Sequence, residues 1–172
     1  MMITDRATLT QILQEATILH LALHAEHAPH VVPVCFGVDG NTLYVHGRRT
    51  GRKMELLRAD PRVGFSACTD VTIIPGASAC AFTAASRSVV GTARARIVED
   101  EAERIRGLDI IMAHYGDGTG GRDAVPGAER ATVGAPRYEG ASLGRTSVIA
   151  LQIESMTGKQ TGPSGRRPPT PG

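Results

Sequence analysis

The spacing of apolar and polar positions changes several times along this chain, and each change marks an element. Leu9, Ile12, Leu13 and Ala16 share one helical stripe, and Thr8 three residues before Gln11 offers a capping box, so a short opening helix is predicted. Residues 17 to 25 are apolar with His20 and His24 interspersed, AEHAP carries turn chemistry, and VVPVCFGV follows, which reads as two antiparallel strands. Asp39, Gly40 and Asn41 tolerate the positive φ of a tight primed turn, so TLYVHG is expected to pair directly with the strand before it. Thr50 is the expected cap of a helix that turns Met54 and Leu57 inward and stops near Asp60, because Pro61 follows. RVGFSAC returns as a strand, while residues 70 to 86 lack a clean period and predict an irregular crossover or a broken strand.

Residues 88 to 98 alternate, with Val89, Gly91, Ala93, Ala95 and Ile97 on one face and Arg94 and Arg96 on the other. Asp100 and Glu103 open the next helix, whose stripe of Ile105, Leu108, Ile111, Met112 and Tyr115 ends at Gly116. Residues 116 to 144 show no period, a length that in a compact domain points to a functional lid or a mobile loop. SVIALQIESM is the expected last strand, and the Gly- and Pro-rich remainder is not expected to pack. Five or six strands with short connections and two or three helices predict a mainly β protein, a small antiparallel barrel rather than a doubly wound sheet. The expected division is a domain over residues 1–158 and a tail over 159–172.

Composition agrees with one ordinary domain in 172 residues. Apolar residues make up 41% and aromatic ones 3%, with no Trp, so Val, Ile, Leu and Ala must supply most of the core. A net charge of +2 with dispersed basic residues argues against a nucleic-acid partner. Cys35, Cys68 and Cys80 are odd in number and lack a CxxC spacing, which points away from a disulfide framework and toward small, buried apolar roles in a reducing cytoplasm. Asp5 and Arg6 precede any apolar run and no segment reaches the 18 or so apolar residues of a spanning helix, so neither export nor a membrane is expected.

The strongest chemical signal is HVVPVCFGVDGNTLYVHGRRTGRK, a strand, tight turn, strand and helix start. Its last six residues, from Arg48 to Lys53, hold four cations with Gly51 among them. Cations beside the free N–H groups of a helix start are what a phosphate or other anion needs. No GxxxxGK[ST] pattern occurs, so the anion site is not a P-loop. His24, His27 and His30 recur every third residue, but no carboxylate or cysteine shares a clear spacing with them, and no metal is expected.

These blocks together resemble a known family. VVPVCFGVDGNTLYVHGRRTGRKMELLRADPRVGF resembles the opening of the flavin-binding split-barrel proteins related to pyridoxamine 5'-phosphate oxidase, most closely their nitroimidazole-resistance (Nim-like) branch. RSVVGTARARIVED followed by EAERIRGLDIIMAHY, and IESMTGK near the end, extend the resemblance over about residues 3 to 159. It implies a homodimer of six-stranded, Greek-key split barrels with FMN, alternatively FAD, in a groove between the subunits. On that pattern Val32, Pro33 and Val34 lie along the flavin ring, and His46 and Gly47 at the ring or phosphate edge. Arg48 belongs to the segment that reaches the ribityl phosphate, Lys53 contacts the phosphate, and Ser88 and Val89 also approach the flavin. His46 is the candidate proton donor.

The implied activity is that of a flavin-dependent oxidoreductase acting on a nitro-aromatic or another small electrophile. The alternative is a flavin or haem carrier or sensor without turnover. CAFTAAS, with Phe82 as its single aromatic, departs from the bulky aromatic region common before RSVVG in Nim-like sequences, which leaves substrate preference open. The basic, aromatic C-terminal block of true pyridoxamine phosphate oxidases is missing, so vitamin B6 oxidation is not expected.

Overall fold

The computed structural model describes residues 1–116 and 140–162. Most of the segment expected as a lid or mobile loop, and the tail from residue 163, lie outside the described residues. Eight strands form one antiparallel sheet in the order β3-β2-β6-β7-β8-β5-β4, with β1 added along β8. The strands are β1 (Met2–Ile3), β2 (Leu19–Leu23), β3 (His30–Val34), β4 (Phe36–Asp39), β5 (Thr42–Arg48), β6 (Arg62–Ile74), β7 (Thr83–Ile97) and β8 (Thr146–Thr161). Helices α1 (Arg6–Glu15), α2 (Arg52–Ala59), α3 (Glu101–Gly116) and α4 (Gly140–Arg145) complete the fold.

The count of eight corrects the expected six for two reasons. VVPVCFGV is interrupted at Cys35, so its first half pairs with β2 and its second with β5. The two-residue β1 also adds to β8. The first and last strands of the sheet path, β3 and β4, are therefore consecutive in the chain, joined through one residue but not paired with each other. The barrel is split along that seam.

Period-two alternation sends Leu19, Leu21, Leu23, Val63, Phe65, Ala67, Val89 and Ala93 into the barrel, where α1 adds Leu9, Ile12 and Leu13 and α2 adds Met54 and Leu57. A second cluster lies outside the barrel wall, where α3 covers Tyr44, Val148 and Ala150 with Leu108 and Ile111. That cover explains the unbroken apolar run of β8: Val148 and Ala150 face α3, while Ile149 and Leu151 face the barrel. Burying each large side chain there contributes about 2 kcal/mol. The close approach depends on Gly107, since a Cβ at that position would lie 2.8 Å from Val148 Cγ1 and 2.9 Å from Tyr44 Cδ1.

Helix starts depart from the expected caps. Asp5, not Thr8, caps α1, accepting from the Thr8 N–H at 2.8 Å. At α3 Asp100 accepts from the Glu103 N–H as the pattern foretold, but the Glu103 carboxylate turns to Arg96 instead of closing the box. Residues 70 to 86 form the outer end of the β6–β7 hairpin, with a register shift between Thr69 and Thr72 and a positive φ of 56° at Asp70. Strand β8 runs on to Thr161, past residue 158, and pairs there with Ser86. No helix among the described residues is long and apolar enough to cross a membrane.

Candidate functional site

Strand β5 has two unlike halves. Leu43, Tyr44 and Val45 are buried, after which His46 and Arg48 are exposed and Gly47 is half-buried. Pairing with β4 ends at Phe36 opposite Val45, whereas pairing with β8 continues through His46, Gly47 and Arg48. The last three residues of β5 therefore have a strand on one side and an open edge on the other. The chain that could have covered that edge has turned away at Cys35, and Val34 is already paired with Leu19 of β2. His46 to Arg48 form one lip of the seam and β3 forms the other.

Lys53 reaches back from α2 to this lip. Its half-buried ammonium donates to the His46 carbonyl at 3.2 Å. A Cβ on residue 47 would sit 2.7 Å from Lys53 Nζ, so glycine there leaves the space the ammonium occupies. Burial lowers the Lys53 pKa, and burial followed by the Lys53 charge pushes His46 below the usual histidine range, even though solvent reaches part of the ring. His46 is thus held neutral at pH 7. The α2 start has no side-chain cap: Gly51, at φ 104°, takes the place expected for Thr50. Its carbonyl accepts from the Met54 and Glu55 N–H groups, and Glu55 is the acidic residue of that first turn.

None of the ion pairs among the described residues involves Arg48, Arg49, Arg52, Lys53 or Arg58. Arg49 instead donates to the Gly144 carbonyl at 3.0 Å, and Arg58 to the Arg49 carbonyl at 3.3 Å. A half-buried ammonium without a carboxylate, an uncapped helix start and neighbouring guanidiniums make a donor set that fits a phosphate. Arg48, Lys53, Gly47 and His46 are brought together here.

Other predicted contacts fall elsewhere. On β3, Val34 is buried and Val32 packs on the barrel core, so Pro33 is the member whose side chain is exposed. Ser88 and Val89 lie across the sheet, Val89 in register with Ala67, Leu19 and Val34, which spans three strand spacings or roughly 14 Å. The Val89 side chain is fully buried inside the barrel. The three cysteines are exposed, not buried as expected. For Cys68 the signal was present, since alternation with inward Val63, Phe65 and Ala67 turns it outward. No three His, Cys, Asp or Glu side chains among the described residues could share a metal ion; His24 instead lies 3.4 Å from Asp60. A shallow groove bordered by His24, His27, Pro29, Gly64, Thr92 and Glu154 contains none of the residues nominated for the flavin.

Tyr115, expected as one of a helical stripe, closes the seam's inner end. Its hydroxyl accepts from the Phe36 N–H at 3.0 Å and donates to the Thr17 carbonyl at 2.8 Å. Burial above all pushes its pKa up to about 12, so it stays a donor at any working pH. Next to it, His114 Nε2 lies 2.9 Å from the Ala16 carbonyl and its ring stacks at 4.5 Å from Phe36.

An antiparallel barrel opened along one seam, with cations gathered where the seam meets a helix start, defines the split-barrel class. The sequence profile described as pyridoxamine 5'-phosphate oxidase matches residues 5–160, and the chain belongs to that family. Among solved structures it is similar to a candidate 5-nitroimidazole antibiotic resistance protein from Bacteroides thetaiotaomicron, at 24% identity and TM-score 0.73, covering 92% of this chain and 85% of that one. The FAD and haem binding protein from Mycobacterium smegmatis matches at 20% identity and TM-score 0.75, covering 97% and 76%. An FAD-binding protein from Mesorhizobium loti matches at 19% and 0.62, covering 94% and 98%. At these identities the shared feature is the fold. No curated protein matches the chain.

Proposed function

We propose that this chain is a homodimeric flavoprotein that holds FMN, alternatively FAD, at the seam and reduces a small electrophile such as a nitro-aromatic. The observation that carries the reading is Lys53, a half-buried cation facing His46 and Gly47 with no carboxylate partner among the described ion pairs. Lys53, Arg48 and the α2 start would hold the phosphate, while Pro33 and the β3 backbone would border the ring. When bound, flavin supplies the electron transfer. The neutral His46 ring beside it can hold or pass a proton.

Assembly into a dimer is favoured by the outer sheet face. Val31 and Val90 stand exposed at 55% and 52%, and Ala22, Gly64 and Thr92, in register with Val31, line the shallow groove beside them, a surface that a second subunit can cover. A second copy could also bring its own Ser88 to a seam that the first copy's Ser88 does not reach. Three exposed free thiols suit a reducing compartment such as the cytoplasm.

Titration of the purified protein with FMN and FAD tests the reading. Saturable quenching of flavin fluorescence is expected, and no binding of either flavin would sink it. A second reading, binding without turnover, draws support from the seam itself, where His46 is the one group suited to proton transfer near pH 7 among the described site residues. Anaerobic reduction followed by nitro compounds and quinones separates the two, since reoxidation faster than in buffer requires turnover.

A further inference from the structure

Arg104 on α3 is 8% exposed, and no ion pair among the described residues includes it. A buried guanidinium is costly unless its donors are met. Here Nη2 donates to two backbone oxygens, that of Leu143 and, at 3.1 Å, that of Thr146. Those carbonyls bracket Gly144, whose own oxygen accepts from Arg49. The connection from α4 into β8 is therefore held from one side by α3 and from the other by the β5–α2 turn. Because the Arg49 carbonyl accepts from Arg58, Arg49 is tied at both its side chain and its backbone. The residues that follow in β8 pair with the end of β5, Thr146 with Arg48 and Ser147 with Gly47.

We propose that Arg104 is a positioning residue for the phosphate-binding turn. Through residues 143 to 146 it sets where Arg49, and the Arg48 backbone beside it, stand toward the anionic end of the ligand. The inference rests on the flavin reading above. Arg104 does not touch the ligand, since it lies under the α4–β8 connection. An apolar side chain of similar length fills its space but takes the guanidinium from the Leu143 and Thr146 carbonyls and leaves the connection freer to shift.

Paired titrations with FMN and riboflavin isolate this role, because riboflavin carries the ring without the phosphate. General loosening of the fold weakens both ligands alike, whereas a displaced phosphate turn weakens FMN alone. Arg104→Met is expected to cut the preference for FMN over riboflavin about tenfold, with riboflavin affinity changed by less than about twofold. Arg104→Lys, which keeps a cationic donor, should recover part of that preference. Adding Arg104→Met to Arg49→Gln should lower the preference no further than Arg49→Gln alone, the mark of two residues acting in series. Unchanged preference in a folded Arg104→Met protein, or fully additive losses in the double variant, would overturn the proposal. Should Arg104→Met fail to fold, Arg104→Lys carries the test, and a wild-type FMN preference there overturns it equally. Wild-type protein that binds neither ligand, nor FAD, removes the flavin reading itself. Wild-type protein that binds both equally removes the phosphate turn and the role of Arg104 with it.

Discussion

On β6 and β7 and the exposed side of α3, arginines meet carboxylates: Arg62 meets Asp60, Arg87 meets Glu15 and Asp70, Arg94 meets Glu154, Arg96 meets Glu103 and Arg106 meets Asp39. In the β5–α2 turn, Arg49, Lys53 and Arg58 meet carbonyl oxygens instead. Seventeen acidic residues accompany nineteen basic ones in the chain, so acids are not scarce; among the described residues their ion pairs lie elsewhere. The helix starts divide the same way, with α1 and α3 capped by Asp5 and Asp100 and α2 by no side chain. Exposed ion pairs contribute little net stability, about 0–1 kcal/mol each, and mainly cancel charge. Where charge is left uncancelled, the fold carries some repulsion and keeps a positive potential that an anion can neutralise.

The sharpest way to break that contrast is Lys53→Glu. It removes a charge-assisted donor and adds repulsion, and is expected to cost about 3 kcal/mol of FMN affinity, some 100-fold, at low salt. Fluorescence titration reads it, and unchanged affinity would place the phosphate elsewhere. Gly47→Ala is milder: the methyl group takes the place of Nζ, so the ammonium must move, and FMN affinity should fall about tenfold while riboflavin affinity holds.

Acidity supplies a graded test. An anion favours protonated His46 and so raises its depressed pKa in the complex. FMN affinity should therefore rise as pH drops from 7.5 toward 6, by less than tenfold per pH unit, until the phosphate itself takes up a proton. His46→Gln should flatten that slope. In the free protein the sign is opposite. The folded-state pKa of His46 lies below its unfolded value of 6.5, so its contribution to stability is present above pH 6.5 and is lost as pH falls through the lowered folded value. His114, lowered chiefly by burial, acts in the same sense, so the ligand-free protein should melt earlier at pH 5 than at pH 7. The smallest effect is expected on the neutralised side: Arg96→Ala should cost at most about 1 kcal/mol in denaturant melts and leave FMN affinity unchanged.

Local signals in the sequence carried the elements well. Asp39 to Asn41 close a two-residue turn with Gly40 at φ 58°, and α3 ends at Gly116. The break at Cys35 was not legible, because VVPVCFGV reads as one apolar run. What divides it is the curvature that hands its halves to different neighbours, together with a Tyr115 hydroxyl arriving from 79 residues later. The cation cluster was legible as composition, and its lack of ion pairs among the described residues was not, since that depends on which acids fold nearby. Arg104 looked like an ordinary polar helix position until residues 143 to 146 came to lie over it. For Val89 the alternation that identified its strand also turns its side chain inward, so that side chain is not open to a ligand.

Strand β8 has a kinetic consequence. It is the last described strand to emerge in synthesis, yet it pairs with β1, β5 and β7, and its Gln160 carbonyl accepts from the amino group of Met1. Until it arrives, β7 and β5 are bare edges, the face that α3 covers is missing Val148 and Ala150, and the barrel stays open like an unbuckled belt. Assembly by such long-range pairing is slow and leaves sticky intermediates. The nascent chain should therefore need shielding until the sixteen residues of β8 close the sheet.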